Sequence, residues 1–279
     1  MDIGTLTIVG VGLIGGSIGL AAKRRGVARR ILGVERHPSC VAYALAKGAI
    51  DESSCNLTAA VLRAEVTVFC TPVDEIAQQV LAAASVCPAD NLFIDTGSTK
   101  ALITRTIESA APTARFVGGH PLAGSEKQGV EHAEADLFEN KLTIVTRTAS
   151  TAPDALEQAT RFWQLLGSSV RVMSPEEHDA ALAFTSHLPH LLASALAGIL
   201  PAPLNDLTAS GFRDTTRIAA GDPGLWTAIF SHNRAAVLDA LAVLSGRLEC
   251  LRDCLSTSDW ATLHDLLLQA KKVRDALGS

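Results

Sequence analysis

His120 stands in Gly118–Glu126 (GGHPLAGSE), just past a strand-like run that ends in glycines. The carboxyl ends of strands in α/β sheets are where reacting groups gather. An imidazole there, with an unperturbed pKa of ~6.5, suits proton acceptance near neutral pH. His187 and His190 lie three residues apart in Ser186–His190 (SHLPH), on one face of an otherwise apolar helical stretch. A metal reading of this pair is poor, because i, i+3 histidines lack an evident third ligand. A third segment, Gly211–Pro223 (GFRDTTRIAAGDP), brings Arg213, Asp214 and Arg217 together between helices. Guanidinium groups offer planar, bidentate donors to carboxylates. A base and cations of this kind suit proton transfer on an anionic small molecule.

At the other end of the chain, Gly10–Gly15 (GVGLIG) fits G-x-G-x-x-G, directly after a strand-like run and directly before a helical one. Gly10 permits the tight turn, Gly12 lets the backbone approach a pyrophosphate, and Gly15 lets the helix pack closely on the sheet. The helix N-terminus then offers N–H groups and partial positive charge to phosphates. Glu35 follows Gly15 by 20 residues, where a carboxylate accepts from ribose hydroxyls and repels a 2′-phosphate. This favours NAD over NADP. The neighbouring Arg36 stacks on adenine or meets a phosphate in a competing reading. The basic cluster Lys23 to Arg30 falls at the far end of the first helix, where it complements the helix dipole and stays solvated.

These residues need a frame. Strand-like runs TLTIVG, ILGVE, VTVFC, NLFID, RFVGG, LTIVTR and SVRVMS alternate with helical segments as far as residue 173. That alternation predicts an α/β Rossmann domain over 1–173, with a mostly parallel, doubly wound sheet. Beyond it the strand signal stops. Ser174, Pro175 and Glu177 form a capping box that opens an all-α domain over 174–279, and Asp222-Pro223 starts another helix. Val237, Leu241, Leu244, Leu248, Leu251 and Leu255 recur at heptad spacing. They pack either on a final helix bearing Leu263, Leu266 and Leu267 or on a second copy of the chain.

Of the 279 residues 48% are hydrophobic and 19% charged, and the net charge is −5. The chain is therefore expected to be globular, with no bulk attraction to nucleic acid or anionic membrane. No run approaches the ~18 apolar residues of a membrane span, and no signal peptide is expected. The six cysteines show no metal spacing and read as reduced thiols, which implies a cytoplasmic protein.

With GVGLIGGS, CTPV at Cys70 to Val73, and DTGSTK at Asp95 to Lys100, the three chemical segments resemble the prephenate/arogenate dehydrogenase family of tyrosine biosynthesis. The likeness runs from about residue 5 to about residue 255. It implies NAD-dependent oxidative decarboxylation of prephenate to 4-hydroxyphenylpyruvate, without a metal, by a homodimer joined through its helical domain. It also implies site roles. His120 is the base for the substrate hydroxyl and Ser98 orients both. Arg217 clamps a carboxylate, with Arg213 beside it, and His187 and His190 lie by the side chain and the nicotinamide. Leu13, Ile14, Thr71 and Pro72 join Gly10, Gly12, Gly15, Glu35 and Arg36 around the cofactor. Lys100, Glu126 and Trp226 receive no catalytic role.

Arogenate, which carries an amine in place of the ketone, is the alternative substrate, and an enzyme accepting both is a third. A 3-hydroxyacid dehydrogenase would need a helical-domain lysine, and Ser174–Leu268 contains none. A non-catalytic NAD sensor would make His120 and Arg217 dispensable. No β-α-β-β-α-β regulatory segment follows, so any inhibition by tyrosine is expected to be weak and competitive.

Overall fold

The computed structural model describes residues 2–88, 90–124, 127 and 129–278 of the chain. Glu126 lies outside the described residues. Two compact units are present, Met1–Asn233 and Arg234–Ser279.

The first unit begins as β1 (Ile3–Val9), α1 (Leu13–Arg24), β2 (Ala28–Val34), α2 (Pro38–Ala46), β3 (Glu52–Ser54) and α3 (Leu57–Val61). It continues as β4 (Val66–Phe69), α4 (Val73–Ala84), β5 (Leu92–Asp95), α5 (Ala101–Ala110) and β6 (Phe116–Val117). Among the described residues these six strands form one sheet in the order β3-β2-β1-β4-β5-β6, parallel throughout. That order reverses between β1 and β4 and opens a crevice at the carboxyl ends of those strands. β4 and β5 are buried along their whole length, as expected of strands covered by helices on both faces. Ile8, Val68 and Ile94 point to one face, with Ile18 and Trp163. Val9, Phe69 and Phe93 point to the other, with Ile76, Ile103 and Ile107.

The later strands do not extend this sheet. RFVGG, expected as one strand, breaks at Gly118 into β6 and β7 (Gly119–Pro121). β7 pairs antiparallel with β8 (Leu142–Thr146), and β8 pairs parallel with β9 (Ser169–Met173) across α6 (Pro153–Leu165). The glycines make this change of sheet possible. A Cβ on Gly118 would meet Thr146 Oγ1 at 2.3 Å, and one on Gly119 the Asp95 carbonyl oxygen at 2.7 Å. β3 (ESS) has no apolar run to announce it in the sequence.

Ser174 and Glu177 form the capping box that opens α7 (Pro175–Leu182). A π-helical turn, Ala183–His187, joins it to α8 (Leu188–Gly198). Pro189 cannot donate into a helical ladder, and the wide turn, closed by Leu188 N–H to the Ala183 carbonyl, absorbs that loss. α9 (Ser210–Thr216) and α10 (Pro223–His232, capped by Asp222) complete the unit. The passage Pro175–Gly198 has a mean hydropathy of 1.2 over its most apolar stretch, enough by length and composition to cross a membrane. It carries polar groups within the protein, however, burying His178, Asp179, His187 and His190.

The second unit is a pair of helices, α11 (Arg234–Thr257) and α12 (Trp260–Ala276). The basic cluster from the end of α1 to the start of β2 is not simply solvated. Lys23 pairs with Asp51, Arg25 with Glu139, Arg29 with Asp2, and Arg30 with Glu52.

Candidate active site

The glycine loop is shaped by what its missing side chains avoid. Gly10 has φ +86° and donates to the Val34 carbonyl at 2.9 Å. A Cβ on Gly15 would fall 2.1 Å from the Gly10 carbonyl oxygen, so only glycine lets α1 start so close to β1. A Cβ on Gly12 would meet nothing within 4 Å. Its bareness serves no protein contact and keeps open the space above the helix start. α1 has no side-chain cap, and Leu13 and Ile14 occupy its half-buried first turn. Its first N–H groups are thus left to an external acceptor.

Glu35 caps the tip of β2 beside this loop. Its carboxylate accepts from Val11 N–H at 3.3 Å, Arg36 N–H at 2.8 Å and His37 N–H at 3.0 Å. The Arg36 side chain is exposed and pairs with Glu75 at 3.1 Å. Thr71 leans on Gly10, its methyl group 3.0 Å from where a Gly10 Cβ would be, and its hydroxyl bonds Gln79 at 2.6 Å. Pro72 is the N-cap of α4. These residues surround the crevice at the β1/β4 reversal and fit a dinucleotide.

His120 lies on β7 at the same carboxyl edge of the main sheet. Its Nδ1 is 2.8 Å from His178 Nε2, and His178 Nδ1 is 2.8 Å from Asp179 Oδ1. The Asp179 carboxylate also takes the Lys100 N–H at 2.8 Å and the Ala101 N–H at 2.9 Å. Asp179 therefore caps α5 from a different helix. Below it, Lys100 is fully buried and paired with Asp95, whose carboxylate also accepts from Gly97 and Gly119 N–H groups.

Burial, then the charges of His178, Lys100 and His187, push the His120 pKa well below 6.5. The unperturbed value assumed from sequence thus gives way to a more strongly neutral imidazole. Burial also lowers His178 and Lys100. Asp179 sits below the usual carboxylate range: burial opposes this, but the His178 bond and the two backbone N–H groups outweigh it.

His187 is buried, and burial pushes its pKa down to about 4. Its Nδ1 lies 3.0 Å from Asn233 Nδ2, which also donates to the Asp179 carbonyl at 2.7 Å. Ser98 is half-buried in the β5–α5 loop with its backbone beside His187. His190 stacks on Trp226, ring centroids 3.6 Å apart and 13° from parallel. Trp226 is thereby tied to the histidine pair within the chain. His187 Nε2 is left with the Ser98 backbone beside it, and His190 Nδ1 is buried with no hydrogen-bond partner among the described residues. Buried polar atoms are rarely left so, and a bound ligand would satisfy that nitrogen. Arg217 is exposed at the start of a short 3₁₀ turn, Arg217–Ala220, which packs on α8. Arg213 is exposed on α9, with Nε 3.5 Å from Thr208 Oγ1.

His178, Asp179, Asn233 and the Lys100–Asp95 pair were not singled out as site residues from sequence. A signal existed for two of them. Pro175, His178, Asp179 and Leu182 are the buried residues of α7, at helical-face spacing. A histidine and an aspartate on that face are out of place in an ordinary core.

Comparison with known proteins gives this geometry a family. Residues 18–172 match the family model "Prephenate dehydrogenase, nucleotide-binding domain", and residues 174–269 match "Prephenate dehydrogenase, dimerization domain". A prephenate dehydrogenase of Bacillus subtilis (strain 168) is 34% identical, over 98% of this chain and 76% of that protein. A cyclohexadienyl dehydrogenase of Zymomonas mobilis is 32% identical, over 98% of this chain and 95% of that protein. The solved prephenate dehydrogenase from A. aeolicus, in complex with hydroxyphenyl propionate and NAD+, is 30% identical. It superposes with a TM-score of 0.93 and covers 99% of each chain. A dinucleotide crevice and a histidine-centred site on one sheet edge, with both domain models matched in order, leave one assignment: the chain belongs to the prephenate dehydrogenase family.

Proposed function

We propose that this chain catalyses the NAD-dependent oxidative decarboxylation of prephenate to 4-hydroxyphenylpyruvate. The observation that carries the reading is His120, joined at 2.8 Å to His178 and through it to Asp179, on the sheet edge that holds the dinucleotide crevice.

Prephenate presents a ring alcohol, a ring carboxylate and a pyruvyl carboxylate. NAD, when bound, supplies the acceptor for the hydride that leaves the carbinol carbon. His120 takes the hydroxyl proton as that hydride departs. The carbon–carbon bond to the ring carboxylate then breaks, carbon dioxide leaves, the electron pair completes the aromatic ring, and the ring oxygen takes its proton back from His120. Ser98 orients the hydroxyl. Arg217, with Arg213 beside it, holds a carboxylate, and His187 and His190 serve the side chain and the nicotinamide. Glu35, fixed by three backbone N–H groups beside the loop, accepts from the adenosine ribose and disfavours NADP.

Arogenate is the second reading, favoured by the likeness to the solved arogenate dehydrogenase of Synechocystis, 31% identical with a TM-score of 0.83. One carboxylate clamp serves both side chains. A homodimer through the C-terminal helices is supported by the match to the dimerization-domain model. The free state of all six cysteines supports a cytoplasmic location. The test is a four-way assay, prephenate or arogenate with NAD or NADP, following reduced nicotinamide. Turnover is expected to be fastest with prephenate and NAD. Absence of turnover with both substrates would reject the assignment.

A further inference from the structure

The chain His120–His178–Asp179 has a consequence in which nitrogen carries which proton. Asp179 accepts from Lys100 and Ala101 N–H groups and caps α5, so its carboxylate is ionised. The His178 nitrogen facing Oδ1 at 2.8 Å must therefore donate. With its proton on Nδ1, a neutral His178 offers only a lone pair at Nε2. His120 Nδ1, 2.8 Å away, must then supply the hydrogen. The opposite assignment sets a bare His178 nitrogen against a carboxylate. A doubly protonated His178 is opposed by burial and by the nearby Lys100.

We propose that Asp179 and His178 are positioning residues that fix His120 as its Nδ1–H tautomer, leaving Nε2 as the proton acceptor. The inference rests on His120 being the base. The same pair stabilises the imidazolium that forms on proton transfer, because His178 Nε2 continues to accept from Nδ1–H. An imidazole needs a defined tautomer to act as a base, and losing the group that defines it costs orders of magnitude in rate.

The test reads the tautomer directly. In full-length protein labelled with ¹⁵N-histidine and saturated with NAD, His120 Nδ1 should show the shift of a protonated nitrogen and Nε2 that of an unprotonated one. The reverse pattern would overturn the proposal. His178→Phe removes the acceptor and should lower kcat by ~10² or more, with the prephenate KM and NAD affinity within about threefold. His178→Gln offers an amide oxygen to Nδ1–H and should recover kcat to within about tenfold of the parent. A Phe variant as fast as the parent, or a Gln variant no faster than Phe, would also overturn it. The tautomer is read without turnover, so it fails separately from the base assignment, which His120→Asn tests.

Discussion

His178 and His187 are buried and His120 is half-buried, and desolvation is the first cause that drives all three pKa values down. The linkage between protonation and folding then has a definite sign. Between the unfolded value of ~6.5 and the folded value of about 4 for His187, the unfolded chain binds more protons. Stability is therefore full above pH ~6.5 and is lost progressively as the pH falls toward 4. The shifted carboxylates act in a lower window, Glu52 for instance at about 2. Melting followed by circular dichroism should give a Tm at pH 5 below that at pH 7, and His187→Gln should flatten part of the slope. A Tm unchanged between those two values would show that the histidines are not buried as neutral groups. At this scale the sequence exposed His120, His187 and His190 because motif context marks them. It marked His178 and Asp179 only by their place on one helix face, behind a capping box that accounts for their neighbours. Only tertiary contact reveals that one carboxylate caps a distant helix and anchors a histidine.

Among the elements, the β1–α1 turn separates two reasons for a glycine. Gly15 is required by the protein, since its Cβ would overlap the Gly10 carbonyl, whereas Gly12 faces open space. Gly12→Val should therefore fold with a Tm close to the parent and lose NAD affinity in calorimetric titration. Gly15→Val should lose folded protein altogether. Equal destabilisation by both would refute the idea that Gly12 is kept bare for a ligand. This turn was fully legible, because its spacing and its place between strand and helix are local properties. The separate β7-β8-β9 sheet was not. Apolar alternation tells that a segment is a strand, but not which sheet it joins, and the decisive chain crossing at Gly118–Gly119 depends on close approach to Asp95 and Thr146. The π-turn before Pro189 was likewise hidden, since its cause is a missing donor inside an otherwise helical pattern.

At the level of the whole molecule, the heptad stripe on α11 is only partly covered by α12. Val237 is buried and Leu241, Leu244 and Leu251 are half-buried, but Leu248 is 51% and Leu255 57% exposed. Open leucines on such a stripe suit a second copy of the chain. Leu248→Glu combined with Leu255→Glu should shift the mass measured by light scattering from dimer to monomer while leaving helicity intact. A parent protein that is already monomeric would reject the dimer. An imidazole, a crevice and a dinucleotide meet in one reaction, an oxidative decarboxylation. Its most direct test is to incubate the full-length protein with NAD and prephenate labelled in the ring carboxylate, and to count labelled carbon dioxide against reduced nicotinamide. One carbon dioxide is expected for each reduced nicotinamide, with a rate at least ~10²-fold lower in His120→Asn and NAD affinity unchanged in that variant. Reduced nicotinamide without carbon dioxide, or a His120→Asn variant that turns over like the parent, would contradict it.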